Sequence, residues 1–144
     1  MANAADLDRF LVAQEPVYET ALEELAAGEK ASHWMWFVFP QLRGLGRSPT
    51  AAFYGFASEA EALAYWRHPV LGKRLAECCA AVLRIRGRSA LEVFGSPDDL
   101  KLKSCMTLFE RVAADTTVFT QVLDRYFAGE RDRRTLALLA GASP

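Results

Sequence analysis

The residues best suited to ligand chemistry lie in one run, Lys30 to Gln41, with the sequence KASHWMWFVFPQ. This run holds one of the two histidines, His33, and two of the three tryptophans, Trp34 and Trp36. Indole rings can stack on a flat ligand, while Lys30 or His33 can supply positive charge. The run therefore predicts one wall of a ligand pocket. The residues expected to bind the ligand there are Lys30, His33, Trp34, Trp36 and Gln41. The alternative interpretation, and the more usual one for such a run, is a central core helix whose aromatic side chains are buried.

A second candidate run begins at Asp98 with the sequence DDLKLKSCMT. The start of a helix can hold an anion, and Lys101 would favour it. Ser104 shares a helix face with Lys101, so Asp98, Lys101 and Ser104 are predicted to bind the ligand. The alternative interpretation is an ordinary solvent-facing helix, because Asp98 with Lys101 and Asp99 with Lys103 have the spacing of intrahelical ion pairs.

Other kinds of site are not indicated, and neither a metal nor a cofactor is expected. The two histidines are far apart, and Cys78 and Cys79 are adjacent, which is not the spacing of zinc ligands. No phosphate-binding loop or nucleophile-elbow motif is present, so the catalytic residues stay unassigned. Three cysteines without a disulfide framework indicate reduced thiols and a cytoplasmic location.

The composition limits the class of protein and its partners. The 144 residues are 51% hydrophobic, which predicts one folded domain spanning residues 1–144. A net charge of -1 argues against nucleic acid as a partner. No stretch approaches the roughly 20 consecutive apolar residues of a membrane span, so a soluble protein is expected. The oligomeric state does not follow from these properties.

The elements that must position these residues are all predicted to be helical. The apolar spacing indicates an all-α fold, an irregular bundle of eight or nine short helices with no β-sheet. Pro16 divides the first helical pattern near Gln14, Gly28 ends the second helix, and residues 33–39 form a short buried helix. Residues 41–48 form a loop. Helix starts are predicted at Ser48–Pro49, Ser58 with Glu61 as a capping box, Pro69, Ser96–Pro97 and Asp132.

These features together resemble the bacterial domain of unknown function 1810 family. The resemblance covers nearly the whole chain. It rests on Lys30 to Gln41, the opening Asp6-Leu7-Asp8-Arg9-Phe10 with Gln14, the phrase His68-Pro69-Val70-Leu71-Gly72 with Arg74-Leu75, the stretch Phe94-Gly95 through Asp98 with Lys101-Leu102, Ser104 and Met106-Thr107-Leu108-Phe109, and the ending Gly129 with Asp132 and Thr135-Leu136.

Family resemblance implies architecture more than activity. The 1810 family is multihelical and has no established activity. Its members are sometimes labelled calpastatin, but calpastatin is a disordered protease inhibitor, whereas this chain has the composition of a folded domain. The segment from Met106 to Phe109 and the helices after it are also similar to the NADAR family. That second similarity implies ADP-ribose derivatives as ligands and N-glycosidic bonds as the reaction class.

The leading hypothesis is a pocket for a nucleotide-like or ADP-ribose-type ligand, walled by Trp34 and Trp36. Lys30, Lys101 and the arginines of the 41–48 loop, Arg43 and Arg47, are expected to contact its phosphate. If the protein is an enzyme, the NADAR resemblance implies N-glycosidic hydrolysis, with Glu29 or Asp98 stabilising positive charge and His33 handling a proton. The alternative is a non-catalytic interaction module in which the aromatic run is only core.

Overall fold

The computed structural model describes residues 4–141, and these residues form an all-α fold as predicted. The structure has ten helices over this range, where eight or nine were expected. They are α1 (Ala4–Gln14), α2 (Tyr18–Ala27), α3 (Met35–Val38), α4 (Pro49–Tyr54), α5 (Glu59–Arg67), α6 (Leu71–Arg84), α7 (Ala90–Phe94), α8 (Asp98–Val112), α9 (Thr117–Phe127) and α10 (Arg133–Leu139). None of the helices within residues 4–141 is long and apolar enough to cross a bilayer.

The long helices α6 and α8 organise the core. Helix α6 packs against α2, α5 and α9, and α8 packs against α5, α7, α9 and α10. The predicted inner stripe of α6 is buried throughout, at Leu71, Leu75, Cys78, Cys79, Val82 and Ile85. Burial raises the pKa of the Cys78 thiol to about 12, and those of Cys79 and Cys105 are also well above the ordinary value. These thiols therefore serve as small apolar core residues.

Several predicted helix boundaries are confirmed because local chemistry decides them. Helix α1 ends at Gln14 and α2 begins at Tyr18, on either side of Pro16. Gly28 adopts φ 73°, a left-handed conformation that glycine takes without strain, and ends α2. Ser48 accepts a hydrogen bond from the Ala51 N–H, with proline in the first helical position.

The capping box predicted at Ser58 is half formed. The Ser58 hydroxyl accepts from the Glu61 N–H at 3.2 Å, as expected. The Glu61 carboxylate, however, accepts from the Ala57 N–H at 2.9 Å and pairs with Arg9. Glu61 therefore joins the start of α5 to α1, a long-range role that local spacing does not reveal.

Two predicted helix starts were wrong. Helix α6 begins at Leu71 rather than Pro69, because Nδ1 of His68 accepts from the N–H groups of Val70 and Leu71. Ser96 does not cap α8, which begins at Asp98 after a cis Ser96–Pro97 peptide bond. The Asp99 N–H instead donates to the carbonyl of Gly95 at 2.9 Å.

The aromatic run forms less helix than expected. Helix α3 is a single turn from Met35 to Val38, so His33 and Trp34 precede it. The loop that follows is joined to the end of α4 by an isolated parallel bridge between Leu42 and Phe56. The Phe56 N–H donates to the Gln41 carbonyl at 3.0 Å, which fixes the position of Gln41.

Candidate functional site

A half-open groove of about 360 Å³ lies between α3, the loop after it and the starts of α8 and α10. We call it the Trp36 groove. Its apolar lining consists of Trp36, Leu45, Gly46, Pro97 and Leu100, and its polar lining of Gln41, Lys101, Ser104, Asp132 and Arg134. Small-molecule sites have roughly 300–1,000 Å³ and combine apolar walls with a few polar groups. The groove has this character.

A chain of charged contacts reaches the groove from the protein interior. Lys30 Nζ lies 2.8 Å from Asp98 Oδ2, and its side chain is only 7% exposed. Asp98 Oδ1 lies 3.1 Å from Lys101 Nζ. The Lys101 ammonium in turn lies 3.5 Å from the centroid of the Trp36 ring, at cation–π distance. Lys30 and Asp98 therefore hold Lys101 against the indole.

The two lysines also keep Asp98 ionised. Desolvation alone would raise the pKa of this carboxyl group, but hydrogen bonds and charge from Lys30 and Lys101 outweigh it and lower the pKa. Both oxygens of Asp98 are engaged by lysines. Asp98 therefore acts on the groove through Lys101.

Gln41 is the polar residue of the lining with the clearest unmet bonding capacity. It is 8% exposed, and its side-chain amide has no hydrogen-bond partner among the described residues. The amide borders the groove, where it offers two N–H donors and one carbonyl acceptor. Asp99 Oδ1 is the one buried side-chain polar atom without a partner among the described residues, so the Gln41 amide meets solvent in the groove and can exchange that water for a hydrogen-bonding group of a ligand.

Asp132 is fixed in the lining by three hydrogen bonds. Its backbone N–H donates to Thr107 Oγ1 at 2.9 Å. Its Oδ2 accepts from the Thr135 N–H at 2.9 Å and from the Thr135 hydroxyl at 2.6 Å. Oδ1 has no hydrogen-bond partner within residues 4–141. Asp132 thus caps α10, as predicted, and also presents one free acceptor oxygen in the groove lining.

The eight predicted ligand-binding residues separate into three groups. Trp36, Gln41, Lys101 and Ser104 line the groove. Lys30 and Asp98 do not line the groove, but Asp98 pairs with Lys30 and with the groove residue Lys101. His33 is exposed, Trp34 is fully buried, and neither lines the groove.

The positively charged residues that line the groove differ in part from those predicted. Arg43 Nε donates to the Ala52 carbonyl at 3.1 Å, and neither Arg43 nor Arg47 lines the groove. Arg134 of α10 lines it instead and donates to the Gly44 carbonyl at 3.3 Å. The sequence analysis did not identify Arg134 or Asp132 as residues of the groove lining, although Asp132 was among the residues that carried the family resemblance.

Trp34 is held in the core by Glu24. Oε1 of Glu24 accepts from the indole N–H of Trp34 at 2.9 Å and from the N–H groups of Ala31 and Ser32. Oε2 accepts from the Ser32 hydroxyl at 2.6 Å. Desolvation would raise the pKa of Glu24, but these hydrogen bonds lower it to about 2. The carboxylate thus fixes the segment that enters α3.

Replacing Glu24 with glutamine is expected to lower the free energy of unfolding by about 2 kcal/mol at pH 7, since bonds to a charged acceptor are lost. The folded-state pKa lies below the ordinary value of 4.5, so the stabilisation is present above pH 4.5 and declines toward pH 2. Urea unfolding of both proteins across this range should show the difference narrowing. Glu23→Gln, at the exposed neighbouring position, is the control and should change little. A constant difference at all pH values would contradict the role of the charge.

Comparison with known proteins assigns a family. The family described as "Protein of unknown function (DUF1810)" matches residues 4–139. The chain belongs to the DUF1810 family. The crystal structure of the conserved hypothetical protein Rv1873 from Mycobacterium tuberculosis is similar over 94% of this chain and 96% of its own, with 57% identity and a TM-score of 0.92. No curated protein matches the sequence. Membership of DUF1810 thus confirms the predicted family and fold, and neither description names an activity.

Proposed function

We propose that the protein binds a small nucleotide-like ligand, a mononucleotide or an ADP-ribose derivative, in the Trp36 groove. The observation that carries this proposal is Gln41, a residue only 8% exposed whose side-chain amide borders the groove and has no hydrogen-bond partner among the described residues. An amide offers a donor and an acceptor side by side, which suits the polar edge of a flat ring such as a nucleobase. The amide would then set both the position and the specificity of the ring.

The rest of the lining supports a ligand with a flat part and an anionic part. Trp36, Pro97 and Leu100 supply an apolar surface for a ring. Lys101 and Arg134 supply donors for phosphate oxygens, and Arg134 can bind them in a bidentate manner. The volume of about 360 Å³ is suited to a mononucleotide-sized group. Because the groove is half open, the remainder of a larger ligand would extend into solvent.

Binding is the function that these residues support, rather than hydrolysis. Cleavage of an N-glycosidic bond would need a carboxylate at the sugar and a separate group that handles a proton. Among residues 4–141 the lining offers Asp132 as a carboxylate, but no histidine and no second carboxylate beside it. His33 and Glu29 are exposed and do not line the groove. Both oxygens of Asp98 are bound by lysines. The interaction-module alternative is also weakened, because the aromatic run is not purely core when Trp36 lines a groove.

The proposal is tested by calorimetric titration with AMP, ADP-ribose, NAD and nucleosides. The wild type should bind at least one phosphorylated ligand, and Gln41→Met should bind it about tenfold more weakly because the ring edge loses its hydrogen bonds. The same variant should be about as stable as the wild type, since the Gln41 amide makes no hydrogen bond to another described residue.

Gln121→Met, at an exposed position on α9, is the matched control and should bind as the wild type does. Two results would contradict the proposal. One is the absence of binding at millimolar concentration of every ligand to a folded protein. The other is unchanged affinity in Gln41→Met.

A further inference from the structure

We infer that Asp132 recognises the sugar hydroxyls of the ligand, so that the groove selects a ribonucleotide over the corresponding deoxyribonucleotide. This inference rests on the proposed function and extends it to the class of sugar. It starts from Asp132, which lines the groove and whose Oδ1 has no hydrogen-bond partner among the described residues. Gln41, a residue only 8% exposed whose amide has no partner among the described residues, independently marks the same groove as a place for a ligand.

The side chain of Asp132 is held as a ligand-binding group needs to be. Both hydrogen bonds to Oδ2 come from Thr135, which is fully buried, and the backbone is anchored to Thr107 on α8. These bonds fix the carboxylate plane, so Oδ1 is directed without loss of further side-chain freedom when a ligand arrives. A preorganised acceptor of this kind binds a donor more strongly than a mobile surface carboxylate does.

The chemistry of the other polar groups decides what Oδ1 can bind. Lys101 and Arg134 are donors only, and the Ser104 hydroxyl donates to the Leu100 carbonyl at 3.1 Å. Asp132 is the sole carboxylate that lines the groove among residues 4–141, and an ionised carboxylate only accepts. It repels phosphate oxygens, which also only accept. Its partner on a nucleotide must therefore be an N–H or O–H donor.

The place of Arg134 in the same lining favours the sugar as that partner. Asp132 and Arg134 are two positions apart at the start of α10, and both line the groove. In a nucleotide, the sugar that carries the hydroxyls is bonded directly to the phosphate. A hydroxyl acceptor beside a phosphate donor matches this order, while Gln41, on the loop after α3, is left to meet the base. A carboxylate that accepts from the ribose 2′-hydroxyl is a known means of recognising this sugar.

The experiment compares AMP with 2′-deoxy-AMP, which share the base and the phosphate. Calorimetry on the wild type is expected to show AMP binding about tenfold more tightly, the loss for a hydrogen bond to a charged acceptor. Asp132→Asn keeps an oxygen for Thr135, since asparagine caps helices as well as aspartate does. It replaces the free oxygen with an N–H donor and removes the charge. The variant should bind both ligands with similar affinity.

The outcomes separate this inference from the proposed function. If neither nucleotide binds the folded wild type, and ADP-ribose and NAD also fail, the proposed function falls and the inference falls with it. If AMP and 2′-deoxy-AMP bind the wild type equally, only the inference is overturned. If Asp132→Asn still binds AMP tenfold more tightly than 2′-deoxy-AMP, a group other than Asp132 recognises the sugar hydroxyl. The inference is then also overturned. The wild-type comparison needs no variant to fold, so it decides the matter by itself.

Discussion

Replacing Gly72 with alanine is expected to lower the free energy of unfolding by about 3 kcal/mol or more. A Cβ atom on Gly72 would lie 2.0 Å from the carbonyl oxygen of Trp66 and 2.9 Å from its carbonyl carbon. Both are backbone atoms, so no rotation of a side chain can relieve the contact. The expected loss measures how closely the start of α6 passes the end of α5.

The conformation of Gly72 makes this loss easy to interpret. Gly72 is the second residue of α6, and alanine in a helix is favoured over glycine by about 1 kcal/mol. Propensity alone therefore predicts a gain in stability, and a loss must come from the contact with Trp66. Because α6 carries the central apolar stripe, a shift at its first turn would disturb packing along the whole helix.

Urea unfolding of Gly72→Ala, Gly87→Ala and the wild type measures the effect. A Cβ on Gly87 would meet no atom within 4 Å, but its φ of 73° is unfavourable for alanine. Gly87→Ala should therefore lose about 1–2 kcal/mol from backbone strain alone, less than Gly72→Ala. A Gly72→Ala protein as stable as the wild type would mean that α5 and α6 do not approach as described.

The fold was predictable where its cause is local. Proline lacks an N–H wherever it occurs, so Pro16 separates α1 from α2 without help from distant residues. The stripe of α6 could be predicted because apolar residues at helical spacing must face one side. The starts predicted at Pro69 and Ser96 were not predictable from local patterns. Nδ1 of His68 accepts from the first N–H groups at the start of α6, and the Gly95 carbonyl, rather than Ser96, accepts from the Asp99 N–H.

The site was predictable only in part, since contacts between distant segments decide it. Trp34 and Trp36 are two positions apart and have the same chemistry, yet Glu24 takes the indole N–H of Trp34 and only Trp36 lines the groove. Arg134 reaches the loop at Gly44, 90 positions earlier in the chain. The family resemblance included Asp132 but gave it no role. The spacing of residues along the sequence does not show which distant side chains come into contact.

The two tryptophans should respond to mutation in opposite ways. Trp34 is fully buried, so Trp34→Ala is expected to lower the free energy of unfolding by about 3–5 kcal/mol. It also removes one of the donors to the Glu24 carboxylate. Trp36 is partly exposed, and its main polar contact is the ammonium of Lys101. Trp36→Ala should therefore cost only about 1 kcal/mol, close to a partly exposed cation–π contact.

Ligand binding should show the reverse order. Trp36→Ala removes the ring surface of the groove and releases Lys101, so it should abolish measurable binding of the ligand that the wild type accepts. Trp34→Phe keeps a buried ring but loses the bond to Glu24 and alters the ring that lies 5.2 Å from the Lys30 ammonium. Because neither contact lines the groove, a folded Trp34→Phe protein should bind nearly as the wild type does. Urea unfolding and calorimetry on the same samples give both quantities. Equal destabilisation by the two alanine variants would show that Trp36 is also core, because a groove wall can be truncated without leaving a cavity whereas a core residue cannot.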